Sequence, residues 1–123
     1  MHSTVSSSEW WFDTGIELQA HKTYTLKATG TWNDADIECG PEGWTLDQID
    51  PWKHKFFRAV EMLRPLDTGD RWFCLLGKVG KEVFEIGEHF EYTPSTTGTL
   101  HCTPNDVPLA FWNNKGAIEL TVE

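Results

Sequence analysis

The sequence has no apolar run long enough to cross a bilayer, no internal repeat, and no low-complexity segment beyond a few serines near its start. The first absence argues against membrane insertion by a helix, and the second against a solenoid or propeller. Basic residues are scarce. Ten Lys and Arg stand against 19 Asp and Glu, for a formal net charge of -9. A polyanion is repelled by such a chain, so nucleic acid is not an expected partner. The acidic excess suits a divalent cation, and it equally serves solubility. Cysteine is also sparse: Cys39, Cys74 and Cys102 are odd in number and widely spaced. That pattern fits neither a disulfide framework nor paired zinc-ligand motifs, and all three are expected as buried thiols. Residues 1–8 carry neither a basic head nor an apolar stretch of signal-peptide length, so the expected location is cytoplasmic, or exported without a recognisable signal peptide.

Catalytic signatures are missing as well. His21, His54, His89 and His101 are scattered, with no G-x-S-x-G or comparable nucleophile motif beside them. Asp47, Asp50, Glu82 and Glu85 could serve as an acid–base pair only if the fold brought two of them together, and no spacing in the sequence does so. The expectation is a binding protein and not an enzyme.

Aromatic residues are plentiful: they make up 13% of the 123 residues, with seven Trp, and 39% of the chain is hydrophobic. A chain of this length accommodates one core, and this much apolar surface closes it without disulfides or a structural metal. A single domain spanning 1–123 is therefore expected. Residues 22–28 alternate strictly, with Tyr24, Leu26 and Ala28 on one face, and residues 118–123 repeat the pattern with Ile118, Leu120 and Val122. A period of two is that of a half-buried strand. Shorter apolar or alternating runs at 16–19, 73–79, 83–86, 90–93 and 99–103 are punctuated by Gly80, Gly87, Pro94 and Gly98. Many short strands with frequent turns indicate an all-β sandwich. Only 53–63 reads otherwise: Phe56, Phe57, Val60 and Leu63 are near helical spacing before Pro65, which predicts one short helix or an ordered loop. The stretch 32–70, rich in Gly, Pro, Asp and Trp, reads as long loops over one end of the sandwich.

The segment from Asn105 to Gly116 is the most informative. It gathers the Asp106 carboxylate and the Asn113 and Asn114 carboxamides among turn-forming residues, just ahead of the last strand. Oxygen donors in a tight loop suit calcium, which takes six to eight of them, whereas zinc prefers Cys or His, and this loop contains neither. Asn-Asp and Asn-Asn-Lys-Gly are also ordinary turn sequences, and spacing alone does not separate the two readings.

Asn105-Asp106-Val107-Pro108, a short spacer, Asn113-Asn114-Lys115-Gly116 and the terminal alternating strand resemble the PA-IL-like family, the calcium-dependent galactophilic lectins of bacteria. Ala28-Thr29-Gly30-Thr31-Trp32, Gly40-Pro41-Glu42-Gly43 and Leu75-Leu76-Gly77-Lys78-Val79-Gly80 resemble further family segments in the same order, so the likeness spans most of the chain. The resemblance implies a small jelly-roll-like β-sandwich of the galactose-binding-domain type, with an insertion, as a long loop or short helix, around 49–72. It implies one calcium ion held by the Asp106 carboxylate, the Asn113 and Asn114 carboxamides, the main-chain carbonyl of Ala110, and a main-chain carbonyl at Asp34, with Asn33 and Ala35 as neighbouring alternatives. The ligand implied is a galactose-type sugar whose vicinal hydroxyls meet the metal, with Asp106, Asn113, Gln48, Asp47 and Trp112 as sugar contacts. Weak single-site affinity would favour several sites in a homo-oligomer. The chain departs from the family at Ala110, where the family has Thr, although a main-chain ligand does not depend on that side chain; and no His stands at the place matching the family's sugar-binding His, where the loop reads Trp44-Thr45-Leu46-Asp47-Gln48. Trp52, His54, Phe56 and Phe57 have no family counterpart. They either wall a different pocket or pack the insertion onto the sandwich. The rival to the lectin reading is a structural or protein-interaction module on the same fold that has lost sugar binding.

Overall fold

The computed structural model describes residues 1–123 apart from the side chain of Leu109. In chain order its strands are β1 (His2–Ser6), β2 (Phe12–Leu18), β3 (Tyr24–Thr29), β4 (Trp32–Asp34), β5 (Ile37–Cys39), β6 (Trp44–Thr45), β7 (Arg71–Trp72), β8 (Leu75–Val79), β9 (Glu82–Glu85), β10 (His89–Tyr92), β11 (Gly98–Pro104) and β12 (Asn114–Val122). One short helix, α1 (His54–Val60), lies between β6 and β7, flanked by single 3-10 turns. All strand pairings are antiparallel. One sheet runs β10-β3-β12-β4-β5 with β1 also on β12, a second runs β2-β11-β8-β9, and β6 and β7 form a small ribbon. The result is the all-β sandwich expected from the strand pattern.

The alternation that marks β3 and β12 has its physical cause in the core. Leu26, Ile118, Leu120 and Val122 are fully buried, as are Leu18, Leu75, Val79 and Leu100 from the facing sheet. Each such side chain contributes roughly 1.5–3 kcal/mol by leaving water. A one-residue slip of β12 would move all three of its apolar side chains to the solvent face, so the register is tightly specified. Cys74 and Cys102 are buried free thiols, while Cys39 is only half-buried, because it ends the edge strand β5. Burial pushes the Cys39 thiol up to about 12 and Cys74 up to about 11.

One expectation is corrected, and one strand is added. The stretch 32–70 is not all loop: it contains β4, β5 and β6, strands of two or three residues that are too short to show a period. The polar residues near the start form β1, paired with β12 from His2↔Thr121 to Ser6↔Ala117, although only Val5 of that strand is buried. Both escape a pattern search because a sequence-distant partner creates them. In the insertion, Trp44, Phe57 and Trp72 pack together, with Phe57 edge-on at 5.1 and 5.0 Å to the two indoles, and Arg64 covers Trp72 at 4.6 Å. Trp52 and Phe56 remain exposed. The aromatics of this region thus divide between packing and an open surface.

Candidate functional site

Three chain segments converge at one end of the sandwich. Asp34 closes β4, Asn114 opens β12, and the two are direct partners in the antiparallel register. Asp106 follows β11 by two residues, and the chain returns to Asn114 through a 3-10 turn over Pro108–Asn113, with Pro108 at its first position, where a missing N–H costs nothing. The strand pairing thereby unites residues 80 positions apart, which no local motif could have shown.

Asp34, Asp106 and Asn114 are buried, at 8%, 3% and 5% exposure. Trp44 Nε1 donates to Asp34 Oδ2 at 3.1 Å, Val107 N donates to Asp106 Oδ1 at 2.8 Å, and Asn114 Nδ2 donates to the Ser7 carbonyl at 2.9 Å and to Asp106 Oδ2 at 3.5 Å. The amide nitrogen of Asn114 is thus committed, which fixes the direction of its oxygen. That oxygen, Asn114 Oδ1, is buried without a hydrogen-bond partner, and so is Asn113 Oδ1. Neither Asp34 nor Asp106 has an ion-pair partner among the described residues. The cluster is rich in acceptors and short of donors, an arrangement that is costly unless something positive completes it.

The electrostatics follow from the burial. Asp34 is pushed up to about 6, first by burial and then by Asp36, against the indole bond from Trp44. Asp106 is pushed up to about 7, first by burial and then by the charge of Asp34, against its bonds from Val107 and Asn114. An ordinary Asp sits at 3.8. The folded state therefore binds more protons than the unfolded chain between about pH 4 and 7, so in EDTA these groups favour folding at low pH and oppose it as the pH rises. The slope approaches roughly 1.4 kcal/mol per pH unit for each group. Thermal melts in EDTA should show the parent losing ground to Asp106→Asn from about pH 4 to 7 and the difference levelling off above that. A difference between the two that does not change with pH would contradict the assignment.

Asp34, Asp106, Ala110 and Asn113 all line one cavity of about 470 Å³, and Trp112, 85% exposed, stands at the same cavity. Asn114 lies buried beside Asp106. The structure thus brings together the five residues expected to hold a metal, with one difference: Asp34 presents a buried carboxylate as well as its main chain. Asp47 and Gln48 are not brought there. Gln48 Oε1 accepts the Thr45 N–H at 2.7 Å, Asp47 Oδ1 accepts the Thr45 hydroxyl, and neither residue lines the cavity. Their side chains close the first turn after β6, the cap chemistry that Thr-x-x-Gln favours. Asn105 also turns away, donating to Leu66 O at 2.9 Å and Thr68 Oγ1 at 2.8 Å, and so pins the insertion to the end of β11.

Several contributors were invisible in the sequence. Ser7 supplies the carbonyl that orients Asn114, and Trp44 supplies the indole that holds Asp34. Asp36, Ile37, Ile49 and Lys53 also line the cavity. Nothing about these residue types announces such roles; only the fold does.

The donor set can be tested against a metal on its chemistry. Two carboxylates, two buried amide oxygens without donors, and the main chain of a tight turn form an all-oxygen set, which suits a hard cation such as calcium and offers nothing to zinc. No cluster of three or more His, Cys, Asp and Glu occurs among the described residues, so any cation here would rely on amide and carbonyl oxygens beside the two acids. The residues fit calcium.

No family model matches the sequence, and no curated protein matches it. Among the described residues no helix is long and apolar enough to cross a membrane. Among solved structures, the chain is similar to one described as the EclA N-terminal domain, a PllA-like lectin, at TM-score 0.71 and 18% identity, over 98% of this chain and 92% of that one. With identity this low and coverage this complete, the conclusion concerns architecture: the chain has the β-sandwich fold of a PllA-like lectin domain.

Proposed function

We propose that the chain is a calcium-dependent carbohydrate-binding protein, and that it binds without catalysing. The reading rests above all on one observation: two buried amide oxygens without donors, Asn113 Oδ1 and Asn114 Oδ1, accompany the carboxylates of Asp34 and Asp106, which have no ion-pair partner among the described residues; Asn113 and both acids line an open cavity, and Asn114 is buried beside Asp106. The likeness in fold to a PllA-like lectin domain supports the same reading. The cation would be held by Asp106, Asn113, Asn114, the Ala110 carbonyl and Asp34. When bound, calcium supplies coordination positions at which the vicinal hydroxyls of a sugar replace water. The protein's own part is to hold the carboxylate oxygens ready to accept charge-assisted hydrogen bonds from those hydroxyls, and to offer the face of Trp112 to the apolar side of the ring. A galactose-type sugar is the first candidate. Its recognition here does not use Asp47 and Gln48, whose side chains are engaged with Thr45. Association into a homo-oligomer would raise weak single-site affinity through multivalency.

A glycan array probed with the purified protein in calcium and again in EDTA tests this reading. The expected result is binding to a defined set of glycans, lost in EDTA and restored when calcium returns. A blank array from folded, calcium-loaded protein would replace the lectin reading with that of an interaction module.

A further inference from the structure

A second groove, of about 640 Å³, lies on the outer face of the β2-β11-β8-β9 sheet and shares no lining residue with the first cavity. Thr99 and His101 of β11 and Lys78 of β8 face it, because Leu100, Cys102 and Val79, which alternate with them, point into the core. Lys78 and His101 are direct partners across the two strands, so their side chains stand side by side. Trp11 and Thr97 also line the groove. Among the described residues no carboxylate does, in a chain that carries 19 Asp and Glu. The two acids nearest in register, Asp13 opposite His101 and Glu17 opposite Thr99, are engaged elsewhere: Asp13 Oδ1 accepts the Gly15 N–H at 2.8 Å, and Glu17 Oε1 accepts from the Gln19 amide at 3.4 Å. Lys78 has no ion-pair partner among the described residues, and its ammonium rests 5.1 Å from the centre of the Trp11 ring. Trp11 itself has φ +52°, a left-handed conformation that strains a bulky residue and persists only where its surroundings impose it. Beside it the pairing of β2 with β11 shifts register between Thr99 and His101, an irregularity of the kind that re-aims side chains at binding sites.

We infer that this groove is a second ligand site, for a sugar unit that carries an anionic group, carboxylate or sulfate. The Lys78 ammonium meets the anion in a charge-assisted hydrogen bond. His101 Nδ1 lies 3.2 Å from the Thr99 carbonyl, which can only accept, so Nδ1 donates and Nε2 is left to accept from a ligand hydroxyl. Thr97 Oγ1 accepts the Ala20 N–H at 2.9 Å and keeps its own proton to donate, and the Thr99 hydroxyl has no partner within the protein. A bare inorganic anion leaves most of the groove and these neutral groups unused, and a neutral sugar gains nothing from the charge of Lys78. The net charge of -9 repels a long polyanion, but a single anion in contact with Lys78 is held at short range, and at physiological salt more distant charges are screened beyond about 8 Å. Asp106 lies past the far end of β11, so this site works apart from the calcium-dependent one and does not rest on it.

Amide NMR titrations of the whole chain in EDTA test this, with methyl glucuronide, a sulfated galactose, methyl glucoside as the neutral counterpart, and sodium sulfate. At least one of the two anionic sugars should cause saturable shifts of the Lys78, Thr99 and His101 amides and of the Trp11 indole, and which of them does so separates carboxylate from sulfate. Its affinity should exceed that of methyl glucoside and of sodium sulfate by about 10-fold or more. Lys78→Gln, which keeps the length of the side chain and loses its charge, should bring the anionic sugar down to the level of the neutral one, and the dispersion of its spectrum shows whether the fold is kept. Asp106→Asn should leave the titration unchanged. Absence of saturable shifts at the groove with both anionic sugars overturns the inference. Equal affinity for methyl glucoside, or parental affinity in Lys78→Gln, removes the anionic group from it, and equal affinity for sodium sulfate reduces the groove to an adventitious ion site. Because EDTA removes any calcium, each of these failures leaves the calcium-dependent reading standing.

Discussion

Asp106→Asn is expected to lower calcium affinity by about 100-fold or more, and to abolish calcium-dependent sugar binding, while making the metal-free protein more stable. The opposite signs come from one cause. The Asp106 carboxylate is 3% exposed, lies near a second buried acid, and is pushed up to about 7. Removing its charge takes away the principal negative ligand, and it also removes a buried charge whose retention costs free energy above neutral pH. Asn preserves shape and keeps an acceptor for the Val107 N–H, which Asp106 Oδ1 now accepts at 2.8 Å. At pH 8 in EDTA the variant should therefore melt above the parent. In calcium the gap should narrow: ligand at 100 times the parent's Kd adds about 2.7 kcal/mol to the parent and almost nothing to the variant. Differential scanning calorimetry under the two conditions, with calcium affinity measured by titration, gives all three numbers. A variant that retains parental calcium affinity would remove Asp106 from the metal site. A variant less stable than the parent in EDTA would show that its carboxylate is structural.

Gly43→Ala should destabilise the fold by roughly 3 kcal/mol or more, a fall in Tm of about 10 °C for a domain of this size. Gly43 has φ +77°, where side chains are strained, and a Cβ built there would meet the Trp72 carbonyl oxygen at 2.0 Å and the Cys74 nitrogen at 2.6 Å. Those are backbone atoms of β7 and of the segment entering β8, so relief requires moving strands and not rotating a side chain. The consequence reaches the site. Trp44 follows immediately, pairs with Trp72 across the β6–β7 ribbon, and donates its indole N–H to Asp34. Displacing β6 should weaken calcium binding as well as lower Tm. Gly15→Ala is the control: φ is +73°, yet a Cβ there has nothing within 4 Å, so only the local backbone cost remains, about 1 kcal/mol. Circular-dichroism melts of both variants settle the comparison, and equal losses would mean that the close approach at Gly43 carries no weight.

The contrast between Gly43 and Gly15 shows where sequence reading loses resolution. Both glycines occupy the left-handed region, and only the neighbouring backbone distinguishes a local preference from a packing requirement. The same holds for the short strands. The alternation in 22–28 and 118–123 was legible because each run is long enough to show its period and one face of it is buried. β4 has three residues, and it is a strand because β12 extends to meet it. Asp34 was placed near the site only through resemblance to a family loop. Its register with Asn114, and the approach of its carboxylate to Asp106, come from that pairing. Asp47 and Gln48 illustrate the converse. Both were expected as sugar contacts, but Thr45 precedes them, and local capping bonds form at little entropic cost and engage both side chains.

What the sequence determined by itself is the class of the fold and the chemistry of its most distinctive loop. Period-two runs between turn residues dictate a sandwich, and Asp106, Asn113 and Asn114 in one tight segment dictate oxygen donors, because both are properties of neighbours along the chain. The tertiary structure alone decided that Asp34 joins them, that Ser7 and Trp44 aim the donors, and that Lys78 and His101 stand side by side across β8 and β11. Each of these depends on free energies between residues tens of positions apart, where burial and strand pairing outweigh local preference, and no window along the sequence contains both partners.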